Sequence, residues 1–138
     1  LVYVVYLSGT WSSARAGALS RRYGRGVVVL ASALLMLAGA LAVAAPSLWI
    51  ALAGLLVFTA SFFALHSTAS GWVGLIAEHD RAEASSMYVF CYYMGSSILG
   101  AATGWAYEGL PWAGFVAVLA AMLTALALVA VALWKAER

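Results

Sequence analysis

Charge is scarce in this chain. Only 9% of its 138 residues are Asp, Glu, Lys or Arg, against about 25% in an average soluble domain, and 66% are hydrophobic, with a mean hydropathy of +1.00. A water-soluble fold could not cover its surface with so few polar groups. The chain has only two prolines. It also has a single cysteine, Cys91, and this count excludes a disulfide framework and a zinc site built on cysteine pairs.

Catalytic motifs are absent as well. The sequence has no G-x-S-x-G elbow, no Walker loop and no H-E-x-x-H pair. Its acidic residues all lie outside the long hydrophobic runs: Glu78, Asp80, Glu83, Glu108 and Glu137. We therefore expect neither an enzyme nor an ATP-driven pump, and no metal ion or other cofactor. The net charge of +2 is better explained by membrane topology than by a nucleic-acid partner.

Long hydrophobic runs are what the chain has instead. Crossing about 30 Å of hydrocarbon takes about 20 mostly apolar residues, and complete spans are predicted at residues 26–45, 48–77, 84–107 and 112–134. A shorter run, residues 1–16, has no initiator Met and no basic signal-peptide region, and we interpret it as a truncated span. The predicted fold is all-α, a polytopic transmembrane helix bundle of one truncated and four complete spans.

The basic residues indicate the orientation of these spans. All Lys and Arg residues lie in three stretches, 15–25, 78–83 and 135–138, whereas the turns around Pro46 and Glu108 contain none. Loops rich in Lys and Arg face the cytoplasm in membrane proteins. The pattern predicts a multi-pass protein in the lipid bilayer with its C-terminus in the cytoplasm.

The most specific motif is the basic segment Gly17-Ala18-Leu19-Ser20-Arg21-Arg22-Tyr23-Gly24-Arg25, interpreted as a tight turn between two spans. Arginine suits such a turn because it can bond helix-end carbonyls and pair with acids. The segment resembles the cytoplasmic loop G-x-L-x-D-R-x-G-R of the major facilitator superfamily, and it matches that pattern at Gly17, Leu19, Arg22, Gly24 and Arg25. Arg21 stands where the family usually has Asp, so the carboxylate on which a charge-relay role would depend is missing.

The resemblance extends to the order of spans and loops along the chain. It implies that residues 1–138 are the C-terminal transmembrane part, helices 8 to 12, of a twelve-helix facilitator whose N-terminal helices are missing. Residues 6–11, 64–67 and 92–97 look particularly like bacterial inner-membrane efflux permeases of the sugar or drug exporter type. The implied function is secondary active transport: proton-coupled efflux of small organic molecules by alternating access across the bacterial inner membrane.

Polar residues within the spans are the candidate site residues, because such groups are costly in hydrocarbon and usually face protein or water. On the 48–77 span, Thr59, Phe63, His66 and Ser70 share one helical face, and the resemblance implies that this helix lines the transport cavity. His66 is the leading candidate for the proton pathway, since imidazole titrates near physiological pH. The alternative is a neutral imidazole that bonds a neighbouring helix.

The 84–107 span also has a polar face. Tyr92 and Ser96 lie on it and are predicted to hydrogen-bond the substrate, unless they simply bond an adjacent helix. On another face, the Gly100-xxx-Gly104 step predicts close packing against a second helix.

A function of another class is also compatible with the sequence. The chain could be a small self-sufficient membrane protein, either a homodimeric multidrug exporter or a non-transporting scaffold subunit. A small multidrug exporter is expected to carry a membrane-embedded Glu in its first helix, which this chain lacks. The facilitator interpretation implies other partners: the missing N-terminal helices, a small-molecule substrate and protons.

Overall fold

The structure, a computed structural model, describes residues 2–137 and consists of five α-helices joined by short connections. The helices are α1 (Val2–Tyr23), α2 (Arg25–Val43), α3 (Leu48–Ile76), α4 (Arg81–Gly109) and α5 (Trp112–Glu137). Within residues 2–137 there is no β-strand. The predicted all-α fold is confirmed.

The helices have the dimensions of membrane spans. Among the described residues, α2, α3 and α5 are long and apolar enough to cross a bilayer. With 22 and 29 residues, α1 and α4 are also long enough, but charged and hydroxyl-bearing side chains interrupt their apolar residues. The 29 residues of α3 extend about 43 Å, so this helix must tilt or project beyond about 30 Å of hydrocarbon. The chain is therefore a polytopic transmembrane helix bundle.

Several helix boundaries differ from the predicted spans, and two of the differences lie at charged segments. α1 continues through the basic segment to Tyr23 instead of ending near residue 16, so the expected turn is reduced to Gly24. Most residues of the segment are good helix formers, and arginines can extend from a helix end toward water or lipid headgroups. α4 begins at Arg81 rather than near residue 84, and Glu83 in its first turn suits the positive end of the helix dipole.

The bundle is organised around α2 and α3. α3 packs along both α1 and α2, and α2 packs along α5, whereas α4 contacts only α3 and α5 among the described helices. A buried apolar cluster between α2 and α5 consists of Val29, Ala33, Ala127 and Ala130. No residue of α4 is buried by the rest of the described chain. The polar side chains of α4 are therefore half-buried or exposed.

Glycines bring α2 and α3 into close contact. A Cβ atom on Gly39 would lie 2.7 Å from the carbonyl oxygen of Gly54, and one on Gly54 would lie 2.7 Å from the carbonyl oxygen of Gly39. Any side chain at either position would push the two backbones apart. The close packing predicted for the Gly100-xxx-Gly104 step is not found among residues 2–137. Apart from the backbone of α4 itself, no described atom lies within 4 Å of the Cβ position of either glycine. This step is therefore without a partner helix in the described part of the chain.

Candidate functional site

A pocket of about 650 Å³ lies between α3, α4 and the beginning of α1. This volume falls within the range of about 300–1,000 Å³ that is typical of small-molecule sites. Three of the predicted site residues, Thr59, His66 and Tyr92, line it together. The remaining lining residues are mostly aromatic or aliphatic: Tyr6, Leu52, Leu55, Phe58, Phe62, Phe63 and Tyr93.

His66 stands within a cluster of aromatic rings. Its ring centroid lies 4.7 Å from that of Tyr92, 5.6 Å from that of Tyr88 and 5.9 Å from that of Phe62, which is nearly parallel to it. The Tyr88 hydroxyl lies 3.0 Å from Nδ1 of His66 and 3.4 Å from the carbonyl oxygen of the same residue. One hydroxyl on α4 therefore has two possible acceptors on α3.

This geometry can serve both protonation states of the imidazole. When Nδ1 of His66 carries no proton, the Tyr88 hydroxyl can donate to it. When Nδ1 is protonated it becomes the donor, and the hydroxyl is free to donate to the His66 carbonyl oxygen. The same hydrogen bond also fits the structural alternative, in which a neutral imidazole ties α3 to α4.

Ser70 and Ser96 do not line the aromatic pocket. Ser70 lies about one turn beyond His66 and is half-buried, while Ser96 lies about one turn beyond Tyr92 and is exposed. Helical spacing gives the direction in which a side chain points around the axis. It does not give the level along the helix axis at which a neighbouring helix forms the wall of the pocket, and these two serines lie at other levels.

Several aromatic residues of the site were not among the predicted site residues. Phe58 and Phe62 line the pocket, and Tyr88 bonds His66. A sequence signal for them exists, because Phe58, Phe62 and His66 follow one another at i, i+4 spacing on α3, and Tyr88 and Tyr92 do so on α4. This spacing places the rings next to one another along one face of each helix.

The basic segment lies at the junction of α1 and α2, and a carboxylate from the far end of the chain binds it. Gly24 has a φ of +90°, a conformation that is strained for any residue with a side chain. The backbone N–H groups of Arg25 and Gly26 donate to the two carboxylate oxygens of Glu137, at 3.0 and 2.6 Å. Glu137 on α5 therefore caps the beginning of α2, which has no side-chain cap of its own.

The other motif residues of this segment lie on the surface of α1. Gly17 is exposed within the helix, and the guanidinium carbon of Arg22 lies 5.2 Å from the centre of the Tyr23 ring. Gly24 alone makes the reversal between the helices, and Arg25 contributes its main-chain donor to the cap. The basic segment is thus the C-terminal end of α1, which Gly24 alone joins to α2.

The sequence is similar to bacterial membrane transporters. It is 47% identical over 123 residues to the inner membrane transport protein YnfM of Escherichia coli, a match that covers 89% of this chain and 30% of that protein. It is 38% identical over 133 residues to an uncharacterized MFS-type transporter, YybF, of Bacillus subtilis, covering 96% of this chain and 31% of that protein. An uncharacterized transporter of Buchnera aphidicola is 38% identical over 111 residues, which are 80% of this chain and 27% of the relative.

The chain spans between 27% and 31% of the length of these relatives. No protein-family profile and no solved structure matches it. All three relatives are named as transporters or transport proteins, and one is named as MFS-type. These names agree with the resemblance of the basic segment to the facilitator loop. Over 80–96% of its length the chain is therefore similar to bacterial membrane transporters, among them one of the major facilitator superfamily type.

Proposed function

We propose that the complete protein is a proton-coupled exporter of small organic molecules that works by alternating access in the bacterial inner membrane. The observation that carries this proposal is the position of His66, which lines an aromatic pocket and bonds a tyrosine on the neighbouring helix. The name of YnfM, an inner membrane transport protein, supports the location. A small multidrug exporter or a scaffold subunit lacks such support, because the matched relatives are much longer transporters.

The lining of the pocket favours substrates with an aromatic or apolar surface. A sugar carries a hydroxyl group on almost every carbon, and each buried hydroxyl needs a polar partner. The polar groups of the lining are Thr59, His66 and the hydroxyls of three tyrosines, Tyr6, Tyr92 and Tyr93, so four of the five belong to aromatic rings. Flat rings with one or two polar groups match this surface better than a polyol does.

The proton step in this proposal is a change of charge on His66. A charge in a partly dry site costs several kcal/mol unless solvent or a hydrogen bond compensates it. The Tyr88 hydroxyl can compensate the imidazolium as an acceptor, and the face of the Phe62 ring can add a cation–π contribution. Protonation would then favour whichever state of the transporter gives His66 water and these partners, which couples the proton to the direction of opening.

The test compares coupled with uncoupled transport. Everted membrane vesicles that contain the full-length protein are loaded with a pH-sensitive dye and challenged with a panel of aromatic compounds, and counterflow exchange is measured in parallel. We expect His66→Gln to reduce pH-gradient-driven transport by about tenfold or more, which corresponds to a loss of at least about 1.4 kcal/mol of coupling. Counterflow needs no net proton movement and should change little.

The matched control is His79→Gln, since His79 is the other histidine and is exposed in the connection between α3 and α4. It should transport as the wild type does. Tyr88→Phe should shift the pH dependence of transport while counterflow continues, because it removes the partner of the imidazolium. Equal loss of both activities in His66→Gln, or a loss of folded protein with coupling unchanged per folded molecule, would make His66 a structural residue.

A further inference from the structure

A second pocket, of about 300 Å³, lies where the ends of α1 and α3 meet the beginning of α2. Arg21 and Arg25 contribute two guanidinium groups to its lining, and Ser20, Ser67 and Thr68 contribute three hydroxyls. None of its described lining residues is acidic. It shares no lining residue with the aromatic pocket, so it is a separate feature of the fold.

Two of these hydroxyls are buried without a hydrogen-bond partner in the described part of the chain. Thr68 is only 7% exposed, and neither its Oγ1 atom nor the Oγ atom of Ser20 has a partner among residues 2–137. A hydroxyl on a helix commonly donates to the carbonyl one turn earlier, as Ser86 and Thr103 do here. Ser20 and Thr68 do not, so each places an unpaired donor at the wall of the pocket.

Two arginines and no acid give this pocket its positive charge, and one of them departs from the facilitator pattern. Arg21 occupies the position at which the facilitator pattern has Asp, so a positive group replaces a negative one. A guanidinium group binds phosphate oxygens through paired hydrogen bonds. The nearby carboxylate of Glu137 is bound to the backbone of α2 and does not line the pocket.

We propose that this pocket binds the phosphate group of an anionic ligand. Arg21 and Arg25 neutralise its charge, and Ser20 and Thr68 donate hydrogen bonds to its oxygens. The phosphate can belong to the headgroup of an anionic phospholipid or to a soluble phosphate. A headgroup fits the setting better, because the pocket lies at the ends of membrane helices and the exposed side chain of Leu75 on its wall offers an apolar surface to an acyl chain.

The test measures ligand binding, and it is therefore independent of the proposed transport activity. The melting temperature of the full-length protein in detergent is recorded with phosphatidylglycerol, with phosphatidylcholine and with inorganic phosphate. Phosphatidylglycerol should stabilise the protein more than phosphatidylcholine does. Arg21→Gln should weaken the apparent affinity for phosphatidylglycerol by about fivefold, the typical contribution of one basic residue near an anionic headgroup.

Arg15→Gln is the matched control, since it makes the same change of charge on the same helix. The guanidinium carbon of Arg15 lies 5.0 Å from the centre of the Trp11 ring, and Arg15 does not line the pocket. Phosphatidylglycerol should stabilise this variant as it does the wild type. An equal loss of stabilisation in Arg15→Gln and Arg21→Gln would overturn the proposal, because it would indicate only a general attraction between charges.

Thr68→Val separates a binding role from a structural one. The replacement keeps the shape and removes a buried hydroxyl that has no partner, so the melting temperature without ligand should not fall. The stabilisation by phosphatidylglycerol should decrease, and an undiminished stabilisation would overturn the proposed role of this hydroxyl. If inorganic phosphate produces the stabilisation and it depends on Arg21 and Thr68, the phosphate site is supported and its source is the soluble ion rather than a lipid.

Discussion

The carboxylate of Glu137 accepts a hydrogen bond from the backbone N–H of Gly26, with a distance of 2.6 Å between the oxygen and the nitrogen. This contact joins the last turn of α5 to the first turn of α2. It requires glycine at position 26, because a Cβ atom there would lie 2.7 Å from Cα of Trp134 and 2.8 Å from Oε2 of Glu137. Glu137 thereby caps the N-terminus of a helix that begins more than 100 residues earlier in the sequence.

We expect Glu137→Ala to destabilise the protein by about 1 kcal/mol, the usual contribution of a helix N-cap. The melting temperature of the full-length protein in detergent measures this effect. Glu78→Ala, which removes an exposed acid in the connection between α3 and α4, is the control and should have little effect. Gly26→Ala should destabilise more than Glu137→Ala, since its methyl group meets backbone atoms of α5. Equal melting temperatures for Glu137→Ala and Glu78→Ala would show that the cap contributes nothing.

The contact between Gly39 and Gly54 gives a second prediction. Gly54→Ala should lower the free energy of unfolding by roughly 1–3 kcal/mol, because the added methyl group overpacks two backbones that touch. Gly100→Ala is the matched change on α4, where the Cβ position is open among the described residues, and it should be neutral or slightly stabilising. The yield and melting temperature of each purified variant report the difference. A large loss from Gly100→Ala would instead indicate a helix outside residues 2–137 that packs on this step.

The orientation proposed from the basic residues is tested at the two ends of α4. Asp80 and Gly109 are both exposed, and the helix between them is about 43 Å long, so we expect them to lie on opposite sides of a bilayer. In a Cys91→Ala background, Gly109→Cys should react with a membrane-impermeant thiol reagent in intact cells, whereas Asp80→Cys should react only after permeabilisation. The reverse pattern of labelling would invert the topology.

The aromatic pocket shows which parts of a site a sequence can indicate. Thr59 and His66 were predicted because helical spacing is a local property that places both on one side of α3. Tyr6 was not, since its edge-to-face contact with Phe63, with ring centroids 6.2 Å apart, depends on how α1 packs along α3. That packing requires Gly9, where a Cβ atom would lie 2.5 Å from the Phe63 ring. No pattern within α1 alone identifies the residue that Gly9 accommodates.

The sequence by itself determined the helical membrane fold, because uninterrupted apolar runs of about 20 residues can satisfy their backbone groups in lipid only as helices. It also pointed to the family through a basic segment whose residues are adjacent in the chain. The tertiary structure decided which partner each polar group has. Tyr88 bonds His66 and Glu137 caps α2 through contacts between residues far apart in sequence. These contacts depend on the depth and the angle at which two helices approach each other, which periodicity does not encode; at the cap, Gly26 allows that approach.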